Sequence, residues 1–393
     1  MIIRCVDNSA NGWYNPGRGG DRMKTDRKRM FYLDVARVIA IISITLNHAV
    51  NRSYHTYGKQ LEEFLTIPLA STLLKVTVYI FSRIGVPLFL MITGVLILNK
   101  KMQDASDIKR FYRHNLLSLL ITSEIWYFLM YWFLTIGSNG IVEKGWPAVI
   151  GGMFSTLLFQ NQNTMGSMWY MPMILCVYTT LPFLVIVKDK LKGSGEKLIY
   201  LPVALLFLIA MVLPSVNDLL SILGRNRFSS PLTENYLFCY YYIYIIIGYL
   251  VGRGALAKYK TGTIIAGGLG SFVISCGYQL WIYTMPADYP IGYNFPLLPV
   301  CAGFLFELLR RGADKLRKAE KPITCVSRIS FGIYFVHIVI MTALVELLDL
   351  FAPGLLHPVR LVVLEVVSVG LSIAVILPLS KIRIFRKYLF MIK

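Results

Sequence analysis

Ten uninterrupted apolar stretches, each about as long as a helix that crosses a bilayer, constrain this chain more than any other feature. A hydrocarbon core of about 30 Å takes roughly 20 helical residues. Runs of that kind are predicted at about 31–50, 76–98, 115–136, 168–187, 198–214, 236–252, 262–283, 295–310, 329–350 and 359–380. Lipid offers no partner to a free backbone amide, so such runs must form helices or a closed barrel. They are continuous rather than alternating, which argues against barrel strands. Hydrophobic residues are 56% of the chain and charged residues 16%. A water-soluble fold cannot hide that much apolar surface, and a disordered chain would not carry it. The predicted fold is an all-α polytopic membrane protein of about ten transmembrane helices.

The formal charge of +19 suggests a nucleic-acid partner until the charges are placed. Of the 40 Lys and Arg, 31 fall in the tail and loops on the side of the N-terminus and five in the opposite loops. That asymmetry is the positive-inside pattern. It predicts cytoplasmic termini and a charge directed at insertion and anionic membrane lipid, with no nucleic acid. Residues 1–28 are polar and Gly/Arg-rich and read as a disordered basic cytoplasmic tail; 29–385 read as a single membrane domain. The apolar piece Trp146–Phe159 is too short to span comfortably and is predicted to be re-entrant or interfacial.

Ionisable groups within lipid are costly and usually functional. The first span carries Asp34, Arg37 and His48. At 100° per residue all three share one face. Arg37 and His48 lie about 16 Å apart along the axis, at opposite ends of the helix. Singly, Asp34–Arg37 reads as an interfacial anchor pair and His48 as a snorkelling histidine; three in register suggest that they line something wet. Arg83 in the second span needs a partner or water, and is a candidate, with Arg110 and Arg113, for holding an anionic donor. Thr93 and Gly94, after Pro87, suggest a close helix contact or kink. Arg110 and Arg113 share a face at the start of span three, where paired guanidiniums suit phosphates, or simply anchor the helix. Glu124 sits in mid-span and reads as protonated or partnered. Tyr334 and His337 share a face in span nine, as an active pair or a packed one. The run Tyr240–Tyr244 reads as packing, and Glu307, Glu346 and Glu365 receive no role. No P-loop or HExxH is present, and no metal site is expected.

Taken in order, these motifs resemble the acyltransferase-3 family of integral membrane acyltransferases. Arg37, ten residues, then His48 is similar to its first span. Gly85-Val-Pro-Leu-Phe-Leu-Met-Ile-Thr-Gly-Val-Leu-Ile97 resembles its second, with Thr93 where Ser is usual. Arg110 and Arg113 match its cytoplasmic Arg-x-x-Arg, and Trp169-Tyr-Met171 resembles the opening of its fourth span. Ile245 to Gly252 and Ser330, Tyr334, His337 are similar to later motifs. The resemblance implies transfer of an acyl group, usually acetyl, from acyl-CoA to a hydroxyl of a cell-surface or lipid-linked carbohydrate. Acyl-CoA is then a donor substrate, with no bound cofactor. The implied setting is a bacterial inner membrane.

The residues fit that chemistry on their own terms. CoA phosphates would need cations on the cytoplasmic side, where Arg110, Arg113 and Arg37 are expected. A hydroxyl attacking a thioester must lose its proton, and a neutral imidazole such as His48 is an apt base near pH 7. A glycan or lipid-intermediate transporter is the competing reading, with a non-catalytic scaffold or sensor third. No internal repeat is visible, which counts against a transporter.

Overall fold

In the computed structural model, residues 30–56, 58–137, 140–158, 168–191, 200–228, 240–285 and 290–392 are described. The tail expected at 1–28 lies outside them. All regular elements among the described residues are helical. The helices are α1 Phe31–Ser53, α2 Gln60–Thr66, α3 Leu69–Ser82, α4 Gly85–Leu98, α5 Ala105–Phe111, α6 Leu117–Gly137 and α7 Gly140–Leu157. They continue as α8 Tyr170–Lys190, α9 Tyr200–Phe207, α10 Leu213–Ile222, α11 Tyr241–Gly252, α12 Thr261–Tyr283, α13 Leu297–Gly312, α14 Glu320–Phe351 and α15 His357–Leu379.

Among the described residues, eight continuous helical stretches are long and apolar enough to cross a bilayer. Eight rather than ten arises for two reasons. α13 and α14 run together through a 3₁₀ turn as one stretch, Leu297–Phe351, and α11 has only 12 residues. α7, which covers most of the piece read as re-entrant or interfacial, is not among the eight. Gly145 breaks α7 with φ 73°, a conformation that favours glycine. Tyr131 of α6 then holds the second half by donating to Val149 O at 2.6 Å.

α1 is the hub. It packs against α3, α4, α13, α14 and α15, which explains why so much of its surface is polar yet buried. The second span proves longer than the hydropathy suggested, and broken. α3 stops at Ser82, Arg83 and Ile84 turn, and α4 restarts at Gly85. Pro87 falls in the first turn of α4, where its missing N–H leaves no helical bond unmade. The kink expected from Pro87 is thus a helix start, and the turn before it presents Arg83. A Cβ on Gly85 would stand 2.7 Å from Ala40 O, so the turn lies directly against α1.

At the end of the bundle where α1 finishes (the distal end), the loop expected at 51–75 is mostly helical. α2 lays Glu63 onto Lys75, Nζ to Oε2 2.6 Å, and the same Nζ donates to His55 O at 2.7 Å. Both side chains are buried, and the ammonium lies 4.0 Å from the centre of the Tyr283 ring. Removing one partner of a buried pair strands the other charge, at a cost of about 3–5 kcal/mol. Glu63→Leu should therefore lower the thermal midpoint of the detergent-purified protein strongly, and Lys75→Met in the same chain should restore much of the loss. An unchanged midpoint in Glu63→Leu would show the pair to be structurally idle.

At the other end, near Phe31 (the proximal end), Glu307 is fully buried beneath Arg310 and Arg311, with Nε contacts of 2.8 and 2.6 Å. Arg311 also donates to Leu256 O and Tyr259 O, tying α13 to the α11–α12 connection. Glu307, which received no role from the sequence, is the hub of this cationic corner. Beyond α15, the C-terminal segment folds back onto the bundle. Phe390 is buried against Gly332, and Trp126 Nε1 donates to Leu389 O at 2.9 Å.

Candidate functional site

α1 is helical without interruption from Phe31 to Ser53, so the shared face deduced for Asp34, Arg37 and His48 is preserved. Asp34 is buried. It accepts from Arg37 Nη1 at 3.4 Å and from Ser327 Oγ of α14 at 2.6 Å. The Asp34–Arg37 pair therefore fixes the proximal half of α1 against α14. Arg37 remains partly exposed and lies close enough to Tyr178 of α8 for its charge to act there.

About three turns farther on, His48 meets His337 of α14, ring centroids 5.3 Å apart and tilted by 48°. His337 is fully buried, and its Nδ1 lies 2.7 Å from Ile333 O. A carbonyl oxygen only accepts, so Nδ1 carries the hydrogen and Nε2 keeps its lone pair. That Nε2 is buried and has no hydrogen-bond partner among the described residues. The site thus holds a proton acceptor on one helix and a second imidazole beside it on another. The charges of Arg52 and Arg83 both act on His48.

Arg83 is buried at the α3–α4 turn. It donates to Tyr79 Oη at 2.5 Å and lies 5.3 Å from the centre of the Tyr293 ring. Tyr293 leads to Trp169, centroids 5.3 Å apart, and Trp169 stacks on Tyr241 at 6.0 Å. Tyr334 closes the group between Tyr170 and His337, at 5.9 and 6.4 Å. Five of the residues singled out in the sequence, His48, Arg83, Trp169, Tyr334 and His337, therefore belong to one contiguous distal cluster drawn from α1, the α3–α4 turn, the start of α8 and α14.

The others lie elsewhere. Thr93 donates to Phe89 O at 2.9 Å within α4 and hydrogen-bonds Tyr178. Glu124 is half-buried on α6, near Tyr127. Arg110 is exposed at the proximal end, 3.8 Å from Asp107, and Arg113 is also exposed. α5 begins at Asp104, whose carboxyl caps Asp107 N at 3.0 Å and is held below the usual carboxylate range by Ser106 and that cap. A cleft of about 460 Å³ lined by Lys101, Asp104, Ile108 and Lys190 opens beside Arg110's helix.

Sequence reasoning left two participants unnamed. Tyr293 lies in a loop, where no periodicity marks it. Arg52 was counted with the distal charges, although it follows His48 by four residues and so continues the same face. Glu365 of α15, read as singly placed, accepts from Thr45 Oγ1 at 2.6 Å, one turn below His48.

A family model described as an acyltransferase domain matches residues 30–378. No curated protein and no solved structure matches the chain.

Proposed function

Because this chain belongs to the acyltransferase-3 family, and is a multi-pass membrane acyltransferase by family and helix composition, we propose that it moves an acetyl group from cytoplasmic acetyl-CoA to a hydroxyl of an extracytoplasmic or lipid-linked glycan. The setting we propose is the cytoplasmic membrane of a bacterium, with the proximal end of the bundle facing the cytoplasm. The observation that carries the reading is the His48–His337 pair, on the helix that bears Arg37 at its other end.

In this reading the pantetheine arm enters from the proximal side and brings the thioester along α1 to the distal cluster. His48 takes the proton from the glycan hydroxyl as its oxygen attacks the thioester carbon. His337, with Nδ1 committed to Ile333 O, offers Nε2 to orient His48 or the incoming hydroxyl. The C–S bond then breaks, and the sulfur leaves with the proton that His48 held. Arg110 and Arg113 meet the CoA phosphates at the membrane surface. The chain's own residues supply the whole step, and acyl-CoA is consumed as a substrate.

The test uses purified protein in lipid with labelled acetyl-CoA, following CoA release and label on a cell-envelope glycan fraction. Glycan-stimulated release with label on the glycan is the expected result. No release from any acyl-CoA would remove the enzymatic reading and leave that of a glycan or lipid transporter. Arg110→Ala with Arg113→Ala should raise the KM for acetyl-CoA roughly tenfold per lost charge-assisted contact, with kcat little changed. An unchanged KM would take both arginines out of donor binding.

A further inference from the structure

We propose that Arg52 is the residue that receives the negative charge developing on the thioester carbonyl oxygen during acyl transfer. The proposal rests on the acyltransferase reading above, and it begins with the helix. α1 continues unbroken through residue 53, so Arg52 stands one turn beyond His48, about 6 Å farther along the axis and within 40° of the same face. Its surroundings hold it there. Nη2 donates to Thr342 Oγ1 at 3.1 Å, on the helix that also carries His337. Its own carbonyl accepts from Arg360 Nε at 3.2 Å, so the end of α1 is pinned to α15.

Arg52 keeps one nitrogen in reserve. Nη1 is buried and has no hydrogen-bond partner among the described residues. Two other cations at the distal end are held by carboxylates: Arg360 by Asp349 and Lys75 by Glu63. No such pair forms at Arg52 among the described residues. A guanidinium stays charged at any physiological pH. A buried N–H without an acceptor carries a free-energy penalty. The side chain is therefore fixed and charged, with a donor to spare, beside the two histidines on which its charge acts.

The geometry of acyl transfer supplies the missing acceptor. As the glycan oxygen bonds to the thioester carbon, its proton passes to His48 and the carbonyl π pair moves onto oxygen. The oxyanion is two bonds from the attacking oxygen, so its donor must sit next to the base. Arg52 does. The pair then returns, the C–S bond breaks, and the sulfur takes the proton from His48, giving ester and thiol. A donor that meets its acceptor only in the transition state accelerates the step without tightening substrate binding.

The experiment compares wild type, Arg52→Gln, Arg52→Lys and Thr342→Val in lipid, with acetyl-CoA and the glycan fraction, measuring kcat and both KM values. Arg52→Gln should lower kcat about 10²–10³-fold with both KM values within a few-fold of wild type. Arg52→Lys should recover part of that loss, because the charge remains without its fork. Wild-type kcat in Arg52→Gln would overturn the proposal. So would a raised KM for the glycan alone, which would make Arg52 a ligand for an anionic group on the acceptor. If Arg52→Gln does not give a monodisperse protein, Thr342→Val decides, since it frees the guanidinium without removing it. A fall in kcat supports the assignment, and an unchanged kcat overturns it. An inactive wild type would fail the acyltransferase reading itself, which the wild-type arm alone reveals.

Discussion

His48→Ala should reduce glycan acylation by about 10²–10⁴-fold, the range for losing a positioned general base. The loss should fall on kcat, because the imidazole is asked to move a proton and not to bind either substrate. His337→Ala should also slow turnover, but by less if His337 acts through His48. His337→Asn tests that division, since it can still hold a partner in place but cannot take a proton. Retained activity in His48→Ala with activity lost in both His337 variants would exchange the two roles. Full activity in all three would remove the histidine pair from the mechanism. The pH dependence of kcat gives a second measurement. A base must be neutral to act, so activity should fall as pH drops through the titration of the pair, and that limb should be missing in a variant that has lost the base.

The second large effect concerns the scaffold. α4 and α11 pack backbone to backbone. A Cβ on Gly94 would stand 1.9 Å from Ile245 O, and one on Gly248 would stand 2.2 Å from Met91 O. Neither obstacle is the tip of a flexible side chain, so a methyl group can be accommodated only by driving the helices apart. Gly94→Ala and Gly248→Ala should each destabilise by more than the about 1–3 kcal/mol usual for overpacking. Both should lower the yield of monodisperse protein. Gly277→Ala on α12 is the control. Nothing lies within 4 Å of the added methyl, and alanine is the better helix former by about 1 kcal/mol. Thermal unfolding in detergent compares the three, and an unchanged midpoint in Gly94→Ala would mean that this contact does not hold the bundle together. The consequence reaches the site, because α4 begins at the turn that presents Arg83.

Much of this was legible in one dimension. Continuous apolar runs announced helices because lipid leaves the backbone no alternative partner. The spacing of Asp34, Arg37 and His48 placed them on one face because a helix repeats every 3.6 residues whatever surrounds it. Run lengths were less informative near the membrane surface. There polar residues such as Lys75 and Glu63 continue the helical structure, and a hydropathy threshold mistakes them for loop. The short α11 and the fused α13–α14 stretch show the same limit on counting crossings. Apolarity measures how long a segment could stay in lipid, and not where its helix begins or ends.

Depth and facing along each helix were therefore set by the sequence alone. Which helices meet was not. Most faces of these helices are apolar enough for lipid, so hydrophobicity does not choose neighbours as it does in water. Small residues and polar pairs choose them. Gly94 finds Ile245, Asp34 finds Ser327, and His48 finds His337 only once α1 has become the hub of the bundle. The leftover donor on Arg52 is the same kind of fact. Its position follows from counting four residues past His48, but that one nitrogen stays unclaimed is decided by which partners the other helices bring within reach.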